Sequence, residues 1–96
     1  MNPALPEKWH YVYLLSSNKT SWIYIGCTSN LEKRLKEHNE GNVYSTKKML
    51  PLELIYYEAY RSKEYAYKRE KALKAYGSAL GKLKSRIGIC KKGRAG

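Results

Sequence analysis

Phenylalanine is absent from this chain of 96 residues, acids are scarce and cysteine occurs twice. Each shortage excludes something. Without Phe, the aromatic load falls on ten tyrosines and two tryptophans. A tyrosine packs its ring and still offers a hydroxyl that can bond a phosphate or pass a proton. Cys27 and Cys90 form no CxxC pair and have no nearby histidine, so a reduced, cytoplasmic protein is the economical reading. No apolar run reaches the roughly 18 residues that a membrane helix needs. Residues 1–8 contain two prolines and no apolar stretch, so they read as a flexible lead and not as a signal peptide. Eight acids face nineteen Lys and Arg, a net charge of +11. That imbalance predicts a polyanionic partner. Nucleic acid leads, because Lys and Arg neutralise backbone phosphates and release counterions. An anionic membrane fits less well, since the basic segments carry Tyr and Ala and no long Trp/Leu/Phe face. The plainer alternative is a cationic surface that keeps the protein in solution.

The chain is the length of one domain, and a small core must hold it. "WHYVYLLSS" (Trp9 to Ser17) reads as a strand, "SNKTS" as a polar turn and "WIYIG" (Trp22 to Gly26) as a second strand stopped by glycine. The short spacing predicts an antiparallel hairpin. A helix then follows, capped by Ser29 or Asn30 and ended by Gly41. Leu31, Leu35 and His38 share one side of it, with Arg34 one turn before His38. "NVYSTKKMLP" is a basic loop, and "LELIYYEAY" (Leu52 to Tyr60) is a third strand. Ser62 opens a second helix that Gly77 ends, and Ser78 caps a last helix through Arg86. The order ββα, loop, βαα predicts an α+β fold, a small antiparallel sheet flanked by helices. It forms a single domain over residues 9–87, with residues 88–96 as a basic flexible tail.

Between Tyr67 and Gly96 lie ten Lys and Arg but a single acid, Glu70. Ala66, Glu70 and Leu73 fall at i, i+4 and i+7, so they share one helix face. Leu73 is the one large aliphatic side chain of that helix, so its face looks toward the sheet and carries Glu70 with it. A partly buried carboxylate needs a partner. An ion pair with Arg34 or a nearby Lys would serve, and so would a metal ion.

Tyr11-Val12-Tyr13, then Tyr24-Ile25-Gly26, then Arg34 and His38 as R-x-x-x-H, then Glu70 on a later helix form an ordered set. That set resembles the GIY-YIG nuclease domain, and most of all small standalone bacterial members related to the nuclease domain of the excinuclease C subunit. The resemblance covers residues 9 to 87. It implies a three-stranded antiparallel sheet and Mg²⁺- or Mn²⁺-dependent hydrolysis of DNA phosphodiesters, in repair or recombination. Carried over by position, Tyr13, Tyr24, Arg34 and His38 would be the catalytic set, Glu70 the metal ligand and Gly26 the motif glycine. The sequence departs from the family in reading YVY where the name has GIY, and in having no asparagine after Glu70.

These residue types suit the reaction. A divalent cation offsets charge on the phosphate and the leaving oxygen, and Mg²⁺ binds through one or two carboxylates. Arg34 can reach the scissile phosphate. Tyr13 is favoured as the base, with His38 as helper or relay. Each residue also has a bland role: core aromatics for Tyr13 and Tyr24, a helix-dipole partner for His38, a solvated charge for Arg34, a turn for Gly26. Their joint order favours the catalytic one. DNA would be held by Tyr44, Ser45, Thr46, Lys47 and Lys48 of the basic loop and by Lys68, Arg69, Lys71 and Lys74 around Glu70. Lysines contact phosphates without reading bases, so a protein partner could supply targeting. The expected protein is a monomer. The alternatives are a binding-only nucleic-acid module on the same scaffold and an RNA-binding, ribosome-associated protein.

Overall fold

The computed structural model describes residues 8–75 and 77–89. Of the two expected flexible ends, most of residues 1–8 and of residues 88–96 lies outside the described residues. Three strands, β1 (His10–Ser17), β2 (Ile23–Thr28) and β3 (Leu52–Tyr60), form an antiparallel sheet of order β2-β1-β3. Three helices complete the α+β fold: α1 (Leu31–Asn39), α2 (Lys63–Ala75) and α3 (Gly77–Arg86). A single 3₁₀ turn, Lys47–Met49, interrupts the basic loop. Among the described residues no helix is long and apolar enough to cross a membrane.

Local signals explain most boundaries. Asn30, one of the two expected caps, accepts a hydrogen bond from the Lys33 amide, and Glu32 lies in the first turn of α1. Gly41 ends α1 with a φ of 77°, a conformation that costs glycine little. Its amide donates to the His38 carbonyl while the Asn42 amide donates to Glu37, which satisfies the last carbonyls of the helix. The glycine at position 26 does something else. It does not stop β2, which runs on to Thr28; it sits inside the strand, paired with Tyr13. Ser78 is not a cap either, because α3 already begins at Gly77.

The sheet has two unlike faces, as the two-residue period of a strand dictates. One face carries Val12, Leu14, Ile23 and Ile25, which pack with Ala66 and Leu73 of α2 and Leu80 and Leu83 of α3. This is the aliphatic core. Each fully buried Val, Leu or Ile side chain among them contributes about 1.5–3 kcal/mol relative to exposure. The other face carries Tyr13, Leu15 and Ser17, and meets His38 of α1 and Thr46 of the loop. Four polar side chains are buried to 1% exposure or less there: Tyr13, Ser17, His38 and Thr46. Burying polar groups costs stability unless each finds a partner. A small protein that keeps so many on one face marks that face as the place to look for chemistry.

Candidate active site

Tyr13 stands at the centre of the polar face. Its cross-strand partner is Gly26, and an added Cβ at position 26 would run into Cζ and Oη of the Tyr13 ring and come 2.8 Å from the Tyr24 ring. Glycine is required because the phenol lies where any side chain would stand. Tyr24 pairs with Leu15, so the two motif tyrosines meet on the diagonal, with ring centroids 6.1 Å apart.

His38 closes over both rings. Its imidazole lies edge-on to Tyr13 at 5.8 Å and to Tyr24 at 5.1 Å between centroids. Nε2 is 2.9 Å from the Tyr13 hydroxyl, and Nδ1 is 2.7 Å from Oγ1 of Thr46. The Thr46 hydroxyl donates to the Val43 carbonyl at 3.5 Å. A hydroxyl that spends its proton there is free to accept from Nδ1–H. With the ring hydrogen on Nδ1 toward Thr46, the Nε2 lone pair is placed to receive the Tyr13 hydroxyl. Burial, reinforced by the Arg34 charge, lowers the His38 pKa to about 4, against a small opposing pull from Glu37. The imidazole is therefore neutral at ordinary pH and able to accept a proton. The Tyr13 hydroxyl moves the other way. Burial, helped by Tyr24, raises its pKa, and hydrogen bonding and charge from Arg34 only partly offset this.

Arg34, on the same helix one turn earlier, is held in place by Glu37 at 3.3 Å. Burial works against its charge, but the Tyr13 hydroxyl and the Glu37 carboxylate outweigh it, so the guanidinium is firmly cationic. It lines an open groove at the outer edge of β2 with Cys27, Thr28, Asn30, Lys33 and Glu37. Glu70 approaches this edge from the other side of the sheet. Its charge, second to burial, helps raise the pKa of the Cys27 thiol. The carboxylate is 20% exposed and pairs with Lys74 at 3.2 Å. The partner of Glu70 is thus the lysine one turn on in α2, while Arg34 takes Glu37. Tyr13, Tyr24, Arg34 and His38 form one cluster. Glu70 stands across the β2 edge from it.

Of the residues expected to hold nucleic acid, Tyr44 is 85% exposed with Lys47 over its ring at 4.8 Å, and Lys48, Lys68 and Lys71 are exposed. Two differ from expectation. Thr46 is 0% exposed, so its side chain cannot touch a duplex; it holds His38 instead. Arg69 is drawn inward, its Nε 2.7 Å from Glu58. Lys74 is also engaged, by Glu70. Sequence reasoning missed Thr46 as a partner of His38, and no periodicity announces a contact between helix and loop. It also missed Glu58, which bonds the hydroxyls of Tyr56 and Tyr60 at 2.5 Å each. The strand period was the available signal, since positions 56, 58 and 60 share a face of β3.

Among the described residues no three His, Cys, Asp or Glu side chains gather as a ready metal cage. A single half-buried carboxylate with oxygen donors is nonetheless the protein share that Mg²⁺ or Mn²⁺ accepts while keeping waters.

A family model described as the GIY-YIG catalytic domain matches residues 9–85. The chain is 36% identical over 70 residues to a UPF0213 protein of Haloquadratum walsbyi, covering 71% of this chain and 76% of that one. It is 41% identical over 66 residues to a UPF0213 protein of Clostridium perfringens, covering 68% and 70%. It is 40% identical over 72 residues to one of Natronomonas pharaonis, covering 73% and 82%. No solved structure matches it significantly. Matched by that family model over residues 9–85, the greater part of its length, the chain belongs to the GIY-YIG family of nucleases.

Proposed function

We propose that this protein is a metal-dependent endonuclease that hydrolyses DNA phosphodiester bonds, acting in repair or recombination. The observation that carries the reading is the 2.9 Å bond between the Tyr13 hydroxyl and Nε2 of a neutral His38, beside the Arg34 guanidinium. This is a proton acceptor built next to an anion-binding cation, which is what water attack on a phosphodiester requires.

In this mechanism the scissile phosphate lies at the groove on the β2 edge. Arg34 contacts it and stabilises the charge that grows on its oxygens. Tyr24 is half-buried and Tyr13 wholly buried, so Tyr24 is the phenol that faces the incoming water. The water's proton enters through the two tyrosines, and the Tyr13 hydroxyl passes its own proton to Nε2 of His38. The imidazolium so formed is held by Thr46 at Nδ1. Glu70 would hold the divalent ion, which supplies Lewis-acid offset of phosphate charge.

The test is nicking of supercoiled plasmid with Mg²⁺ or Mn²⁺, beside Glu70→Gln and Arg34→Ala. Cleavage should fall by about 10²-fold or more in each variant. Equal cleavage by wild type and Glu70→Gln would trace the activity to a contaminant, and binding without cleavage under any metal would leave a nucleic-acid-binding module on the nuclease scaffold.

A further inference from the structure

A second site lies at the opposite edge of the sheet. Arg69 and Glu70 are neighbours on α2, yet they serve opposite edges: Glu70 acts on Cys27 of β2, while Arg69 reaches Glu58 of β3. Around Arg69 a groove of about 340 Å³ opens between α2 and α3, lined by Arg69, Ser78, Ala79, Lys82, Leu83 and Arg86. Among the described residues the lining holds three cations and no acid.

Its construction argues for more than stray surface charge. Arg69 is only 29% exposed, and Glu58 grips it through Nε. The two Nη groups are the outer edge of that fork, the part suited to bidentate contact with a phosphate. Glu58, itself 17% exposed, lies behind Arg69 and does not line the groove. Its charge is also spread over the hydroxyls of Tyr56 and Tyr60. Those three donors outweigh burial and keep it ionised, so the clamp on Arg69 holds at neutral pH. Ser78, Lys82 and Arg86 stand at i, i+4 and i+8 on α3, one row facing Arg69. Like charges at that spacing repel, and among the described residues neither Lys82 nor Arg86 has an acidic partner. A bound anion would remove that repulsion.

We propose that this groove is a phosphate-binding site that anchors a nucleic-acid backbone on the sheet edge remote from the cleavage site. The choice of backbone as the phosphate source rests on the nuclease reading. The phosphate chemistry does not.

The experiment compares the wild type with Lys82→Ala/Arg86→Ala, both exposed positions outside the catalytic cluster. A control, Lys36→Ala/Arg61→Ala, removes the same charge from exposed sites elsewhere. Binding of a short fluorescein-labelled DNA duplex is followed by anisotropy across salt concentration. The groove variant should lose about ten-fold in affinity and flatten the salt dependence by about one phosphate contact, with the control within about two-fold of wild type. Equal losses in both variants would reduce the groove to diffuse charge and overturn the proposal. In a second arm, inorganic phosphate is titrated while amide signals of α3 are recorded. Shifts at Ser78 and Lys82, with DNA affinity unchanged in the groove variant, would support the site and make a free phosphate compound its ligand. Silence in both arms sinks it. Since only binding is read, a wild type that never cleaves would undo the nuclease reading and leave this result standing.

Discussion

The Tyr13 hydroxyl and Nε2 of His38 lie 2.9 Å apart although 25 residues separate them in the chain. The bond joins the central strand to α1 across a face where Tyr13, Ser17, His38 and Thr46 are all buried. Neither group is exposed by more than 1%. Breaking the bond should therefore harm chemistry and stability together, and the choice of variant decides which is read. Tyr13→Phe keeps the ring and removes the hydroxyl. It should cost on the order of 10²–10⁴-fold in cleavage. It leaves His38 Nε2 without its donor, at about 1–3 kcal/mol. Single-turnover cleavage and urea unfolding on the same preparation separate the two. A variant that cleaves at the wild-type rate would remove Tyr13 from the proton path.

Acid should weaken the fold through His38. Its pKa in the folded chain, about 4, lies below the ordinary 6.5, so the unfolded chain takes up the proton first. The contribution is fully present above pH 6.5 and is lost as pH falls from 6.5 toward about 4. The slope can approach about 1.4 kcal/mol per pH unit inside that window and no more. Around the ring, among the described residues, stand Arg34, Glu37, Tyr13 and Tyr24, with Glu37 the one carboxylate of the set. Urea unfolding at stepped pH should show the decline in wild type and in Glu37→Gln, and a flatter profile in His38→Gln. The same depression places the acid limb of cleavage near pH 4. An acid limb at the histidine's ordinary value would mean that His38 is not the acceptor.

Gly26 offers a purely steric test. The added methyl of Gly26→Ala meets the Tyr13 phenol and the Tyr24 ring in mid-strand, where the backbone is pinned by its pairing with β1. Overpacking of this kind costs about 1–3 kcal/mol. Thermal unfolding should register that loss, and cleavage should fall further than stability does because the phenol is displaced from His38. Gly81→Ala is the comparison: nothing stands within 4 Å of a Cβ there, and alanine favours a helix by about 1 kcal/mol.

How much of this was visible in the chain divides along physical lines. The strands, the helices and the ordered tyrosines, arginine and histidine follow from period, caps and motif, all of which are local. The role of Gly26 was hidden because a glycine after an apolar run looks like a stop. Only the pairing with Tyr13 shows it to be a seat for a ring. Thr46 looked like a surface residue because lysines follow it. The 3₁₀ turn at Lys47–Met49 sends those lysines outward and turns the threonine in. Arg69 looked free because its acid, Glu58, lies 11 residues away on β3. Contacts of that kind belong to the tertiary fold, and no helical or strand period encodes them.

Thr46 is a positioning residue, and its test must separate orientation from packing. Thr46→Val keeps the shape and removes the oxygen that accepts from Nδ1. The buried N–H is then unpaired, at about 1–3 kcal/mol, and the imidazole loses its reason to favour the Nδ1–H tautomer. With the hydrogen moved to Nε2, the ring can no longer accept from Tyr13, so cleavage should drop by about 10²-fold or more while binding of DNA is unchanged. Thr46→Ser restores the hydroxyl without the methyl and should recover most of the rate, at a small cost in packing. Proton–nitrogen NMR on the histidine ring reads the cause directly: Nδ1 protonated in wild type and Thr46→Ser, Nε2 protonated in Thr46→Val. A purely structural threonine would lower stability equally in both variants and leave the tautomer where it was. The lone hydroxyl matters because His38 has a single hydrogen to place, and Thr46 decides which nitrogen keeps it.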